Sequence, residues 1–311
     1  MLQEPQYNCF EILLAEKLME LGIAYKNYFW RAGLQYQKSN SKNIVSVQNR
    51  YYDYYLAEYF GISFLESVNP DIEVVLDNCG SYILKLDYFY LDYCHMYQKY
   101  HHIHAIIVNV AEKSIIIQDN YFGYKEVIER EVLISWWNSS KNYINCKLIQ
   151  LEISEKNNTK GISTLEAITD NYRMMTDKTV YKVMTGYHSY CGISALDYII
   201  KDLKIAIKKS DFESIDFLLE EIDKIRRSRK QAADFFEVRS EVILKEVYND
   251  SYNKWSRIFL LLMKAVVAKS ISLEGKNNVV KLFNEIVTIE RNIVSQLGEK
   301  GKKEVKKCTK K

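Results

Sequence analysis

Two hydrophobic periods divide this chain of 311 residues. Ile72–Asp77, Tyr82–Asp87, His104–Ala111, Ser114–Asp119 and Lys147–Ile153 are short, rich in β-branched residues and separated by turn-length gaps, which reads as antiparallel strands. After the polar stretch Ser154–Gly161 (SEKNNTKG), a linker by composition, the spacing turns helical as far as Leu297. Ile193, Leu196, Ile199, Ile200 and Leu203 form one stripe, and Phe212, Ile215, Leu218, Leu219, Ile222 and Ile225 a second. Further helices are expected near Gln231–Tyr248, Trp255–Ala268 and Val279–Leu297. The expected class is α+β: a sheet-bearing domain over residues 1–155, a helical domain over 156–297, and a Lys-rich disordered tail over 298–311.

Composition narrows the function classes. Only 2 Pro and 11 Gly in a chain that is 48% hydrophobic exclude a fibre or a low-complexity chain. The net charge is +3, and seven lysines fall within Gly298–Lys311, so the body is close to neutral and a broad nucleic-acid face is not expected. The N-terminus MLQEPQYNCF lacks the basic and apolar regions of a signal peptide, and the apolar run Ile258–Ala268 is interrupted by Lys264. A cytoplasmic protein without membrane contact is expected. The six cysteines form no CxxC pair, so they read as free thiols rather than as a disulfide or zinc framework.

Cys9 stands out among them. Phe10, Leu13, Leu14, Leu18 and Leu21 recur at helical spacing before Gly22, and Asn8 with Glu11 three residues on forms a capping box that puts Cys9 in the first turn. Another helix, rich in tyrosine, is expected over Gln48–Phe60, closed by Gly61. A free thiol is only about 3% thiolate at pH 7. A helix N-terminus stabilises an anion by roughly 0.3–1 kcal/mol, about half a pKa unit, so a histidine must supply the rest.

His104 has a geometric claim to that role. If Glu112-Lys113 is a two-residue turn between strands 104–111 and 114–119, residue 106 faces residue 119 and His104 lies diagonal to Asp119. Diagonal neighbours are about 7–8 Å apart at the backbone, within reach of an imidazole and a carboxylate. His102 and His101 fit less well. Cys on a helix start, then a strand-borne His, then an Asp, is the papain-type order of nucleophile, base and orienting acid. The oxyanion donors to consider are the Cys9 N–H and the amides of Gln3 or Gln6, between which spacing does not decide.

The run LKLDYFYLDYCHMYQKYHHIHAIIVNVAEKSIIIQDNYF (Leu84–Phe122) resembles the core motif of the butirosin biosynthesis protein H-type N-terminal domain. YNCFEILLAEKLMELGI is similar to that family's nucleophile helix, and the resemblance continues at Cys191–Leu203 and Arg226–Phe236. The chain carries Leu91-Asp92, Val108-Asn109 and Asn120 where the family outline has Pro or Gly. The resemblance implies a papain-like fold related to bacteriocin-leader peptidases, with Cys9 as nucleophile, His104 as base and Asp119 as orienting acid. It also implies transfer of an acyl group from a carrier-protein thioester to an amine in natural-product biosynthesis.

The rival readings follow from the same residues. A cysteine peptidase or amidase would use this triad with water as acceptor, and a binding module would keep the fold without turnover. Cys191, with His188 one turn before it, is a rival nucleophile. Cys94, His95, His101, His102 and His104 cluster in sequence but lack a paired ligand spacing elsewhere, so neither a metal nor a cofactor is expected. The partners expected are an acyl or peptidyl carrier protein and a small-molecule amine. A homo-oligomer is compatible with them.

Overall fold

A computed structural model describes residues 6–39, 46–47, 57–112, 114–153, 161–176 and 187–308. The chain divides into two compact units, Met1–Tyr25 with Tyr52–Gly161, and Lys26–Tyr51 with Ile162–Lys311. Both α and β structure are present and the sheets are antiparallel. No helix among the described residues is long and apolar enough to cross a membrane.

In the first unit, the β-branched runs build a six-stranded sheet. Its strands are β3 (Ile62–Val68), β4 (Gly80–Asp87), β5 (Ile103–Ala111), β6 (Ser114–Asp119), β7 (Tyr124–Ile128) and β8 (Lys147–Ile153), in the order β3-β8-β4-β5-β6-β7. β5 is apolar on both faces because both are covered. Ala105 and Ile107 pack with Leu13 of helix α1 (Cys9–Glu20), while Ile106 and Val108 pack with Trp136 and Trp137 of helix α3 (Arg130–Ser140). Each fully buried Leu, Ile or Val side chain contributes about 1.5–3 kcal/mol, and an alanine methyl less.

One expected strand is a helix. Ile72–Leu76 forms α2, a short helix in which Asp71 caps the Glu73 N–H at 3.1 Å and the i, i+4 pair Ile72 and Leu76 is buried. The cap outweighed the β propensity of Val74 and Val75. Most of the helix expected over Gln48–Phe60 lies outside the described residues. Its end, 57–60, is helical, and Gly61 follows at φ +66.

The second unit holds α4 (Thr164–Thr176), α5 (Gly192–Lys209), α6 (Phe212–Val238), α7 (Val242–Ala268) and α8 (Leu273–Cys308). The two stripes bury as expected, with Leu196, Ile199 and Leu203 against Ile215, Leu218 and Ile222. A three-stranded sheet, β2-β1-β9, joins β1 (Gln35–Ser39), β2 (Ser46–Val47) and β9 (Tyr187–Cys191).

This changes three boundaries. Residues 26–51 belong with the helices, because β1 pairs with β9, so the units are not separated by one cut at 155. Residues 154–160 of the expected linker lie outside the described residues. The helix expected over Gln231–Tyr248 is two helices, parted at Ser240, whose φ is +59. The tail expected to be disordered from residue 298 continues α8 through Cys308. Gly298 is there for packing, not for a stop: a Cβ on it would come within 2.9 Å of the Tyr172 ring. Glu and Lys beyond it are good helix formers, and lysines suit the negative end of the macrodipole.

Candidate active site

The site forms where α1 begins and β5 begins. Asn8 Oδ1 accepts the Glu11 N–H at 2.8 Å, and Glu11 Oε2 accepts the Asn8 N–H at 3.0 Å, so both halves of the capping box are made. This fixes Cys9 at the first helical position, partly exposed, beside Phe10 and Phe64.

The hairpin has the register that a two-residue turn requires: Ala111 faces Ser114 and Ile107 faces Gln118. His104 and Asp119 therefore share a face, and His104 Nε2 lies 2.7 Å from Asp119 Oδ2. Both side chains are buried, at 3% and 0% exposure. With Nε2 donating to the carboxylate, Nδ1 is the ring nitrogen left for the Cys9 thiol.

Burial alone pushes the Cys9 thiol up. The hydrogen bond and charge of His104, with the Ala105 and Phe10 N–H groups, outweigh it and hold the thiol below its ordinary value. Burial likewise lowers His104, but hydrogen bonds to Asp119 and Cys9 and their charges raise it to about 9. The two shifts have one cause: the imidazolium and the thiolate stabilise each other in a site where Asp119 balances the charge.

Several groups were not legible in the sequence. Tyr93 donates its hydroxyl to Asp119 Oδ2 at 2.9 Å and stacks on Tyr124 at 3.9 Å. Tyr88, Tyr121 and Phe122 surround the His104 ring, with centroids 6.3, 5.6 and 4.9 Å away. With 25 tyrosines in the chain, abundance hid these few. The Asp-x-Tyr-Phe turn was the one signal, since Asp119 Oδ1 accepts the Tyr121 and Phe122 N–H groups at 3.1 and 3.3 Å. A second buried carboxylate, Asp87, takes His101 Nδ1 at 2.7 Å and the N–H groups of Phe89 and His102, each at 3.0 Å, pinning the start and end of the segment that carries Tyr93.

The remaining candidates separate. Gln3 lies outside the described residues; Gln6 is buried at 5% exposure. Cys94, Cys146 and Cys191 are all raised first by burial, Cys146 to about 11. Cys191 ends strand β9 and is the N-cap of α5, without a side-chain cap hydrogen bond, and a three-residue offset along the strand puts it and His188 on opposite faces. Among the described residues no group of three or more His, Cys, Asp or Glu side chains is placed to hold a metal ion. Compared with protein-family models and with curated proteins, the chain finds no match.

Proposed function

We propose that this protein is a cytoplasmic thiol acyltransferase with a papain-like sheet unit, similar to the butirosin biosynthesis protein H-type family. In this reading it passes an acyl group from a carrier-protein thioester to an amine in natural-product biosynthesis. The observation that carries it is the relay itself: a thiol at a capped helix start, lowered by a histidine whose other nitrogen is held by a buried carboxylate. A nucleophile helix packed on an antiparallel sheet that bears both base and acid supports the papain-like reading.

The chemistry balances with these groups alone. The Cys9 thiolate adds to the thioester carbonyl, the carbon–sulfur bond to the carrier breaks, and the His104 imidazolium gives its proton to the departing carrier thiolate. The acyl group is then a thioester on Cys9. His104, now neutral, takes a proton from the amine as it attacks, an amide forms, and Cys9 leaves as the thiolate. Asp119 holds the ring throughout.

The aromatic rings around His104 favour transfer over hydrolysis, since they keep solvent from the base while the acyl group waits. The test is to load the protein with acyl-N-acetylcysteamine thioesters and follow the adduct by intact mass, with and without a panel of amines. An adduct that persists in buffer and is discharged by an amine supports the transferase. Loss to water with every acyl group tried would make the protein a hydrolase, and no adduct would leave a binding module.

A further inference from the structure

Leu260 stays 49% exposed on a helix whose neighbouring positions pack into the second unit's core. The α7 face at spacing i, i+3, i+4, i+7 presents Arg257, Leu260, Leu261 and Lys264. Across from it, Lys281, Leu282 and Glu285 of α8 complete a groove of about 410 Å³. The floor is leucine and the rim is charged.

The rim is unbalanced. Lys254 bridges Glu285, and Lys281 and Arg257 also act on that carboxylate, holding it below its usual range. The groove lining itself carries three cations, Arg257, Lys264 and Lys281, and one acid, Glu285, which Lys254 already bridges, in a chain whose net charge is only +3. The groove follows two turns of α7, from Arg257 to Lys264, with Leu260, Leu261 and Leu282 as its apolar centre; that length suits the i, i+3, i+4, i+7 anchors of an amphipathic helix, and the surplus positive rim selects acidic flanks. The rim carries no aromatic side chain on which a nucleic-acid base could stack.

We infer that the α7–α8 groove is a docking site for an acidic amphipathic helix of a partner protein. Leucine-sized side chains of that helix seat on Leu260, Leu261 and Leu282, and its carboxylates pair with Arg257, Lys264 and Lys281. The inference does not depend on turnover at Cys9.

The full chain tests it by fluorescence anisotropy against a labelled synthetic helix with Leu at i, i+3, i+4 and i+7 and Glu on both flanks. Two control peptides accompany it, one with Lys in place of Glu and one of the same acidic composition with the leucines scattered. The acidic amphipathic helix should bind more tightly than either control, weaken as salt rises, and lose about tenfold or more in affinity to K264E/K281E. Leu260→Asn, in an exposed position, should weaken it separately, and circular dichroism should show both variants folded. Equal binding of all three peptides, equal binding by wild type and K264E/K281E, or no binding would overturn the proposal. So would anionic vesicles bound through these lysines while the peptide is ignored.

Discussion

His104 Nε2 stands 2.7 Å from Asp119 Oδ2, and the same oxygen accepts the Tyr93 hydroxyl at 2.9 Å. The other oxygen accepts two backbone N–H groups, from Tyr121 and Phe122. With donors on both oxygens and no exposed surface, the carboxylate has one orientation, and through it the imidazole has one tautomer.

Asp119→Asn should therefore fail in a specific way. The amide oxygen must stay at the Oδ1 position, facing the Tyr121 and Phe122 N–H groups, because an NH₂ there would meet two donors. The NH₂ then faces His104 Nε2 and forces the proton to Nδ1, the nitrogen that should accept from Cys9. Acylation of Cys9 by a thioester, followed by stopped-flow or quenched mass spectrometry, should slow by roughly 10²–10⁴-fold with the fold retained. A rate close to wild type would mean that Asp119 does not set the tautomer.

Tyr93→Phe keeps the ring that stacks on Tyr124 but removes one charge-assisted hydrogen bond to Asp119. Urea denaturation should show a loss of about 1.5–3 kcal/mol. With fewer donors Asp119 holds the imidazolium proton more strongly, so the pH at which His104 deprotonates should rise. An unchanged midpoint in urea would remove Tyr93 from this account.

The hairpin was legible because its register depends on local quantities, turn length and strand parity, and both could be read from His104 to Asp119. The capping box was legible for the same reason. In the second unit the end at Ala268 was read correctly, but the break inside the expected Gln231–Tyr248 helix was not, because Ser240 takes the left-handed conformation that sequence reading expects of glycine. Nor could spacing reveal that residues 26–51 leave the sheet-bearing half, since the pairing of Gln35 with Cys191 is non-local. Tyr93 meets Asp119 across 26 residues, with no periodic pattern to connect them.

In the second unit, Arg229 is fully buried and donates through Nε and Nη2 to Glu290 at 2.8 Å each, while Ser251 and Trp255 donate to the same carboxylate. Glu290→Gln leaves the guanidinium buried without its counter-charge. Thermal or urea unfolding should show a loss of about 3–5 kcal/mol. A loss below about 1 kcal/mol would mean that water or another group replaces the carboxylate.

The pH dependence follows from the two opposite shifts. The thiolate forms as pH rises through the lowered Cys9 value, and the imidazolium is lost as pH rises through about 9, so the ion pair occupies the interval between. His104 contributes stability fully below its unfolded value of 6.5, and this fades as pH rises through about 9. In His104→Gln, burial of the thiol is opposed only by the Ala105 and Phe10 N–H groups. The alkylation midpoint of Cys9 should then move up by at least one pH unit, roughly tenfold in thiolate population. A midpoint that does not move would show that His104 does not lower the thiol.

The central claim, that Cys9 is the activated thiol, needs no knowledge of the substrate to test. Native protein is treated briefly with limiting iodoacetamide at pH 7, quenched, unfolded, and mapped cysteine by cysteine by peptide mass spectrometry. The account predicts that Cys9 is labelled first and that Cys94, Cys146 and Cys191, all raised by burial, lag behind it. Labelling of Cys191 ahead of a resistant Cys9, or a Cys9 rate unchanged by His104→Gln, would contradict it.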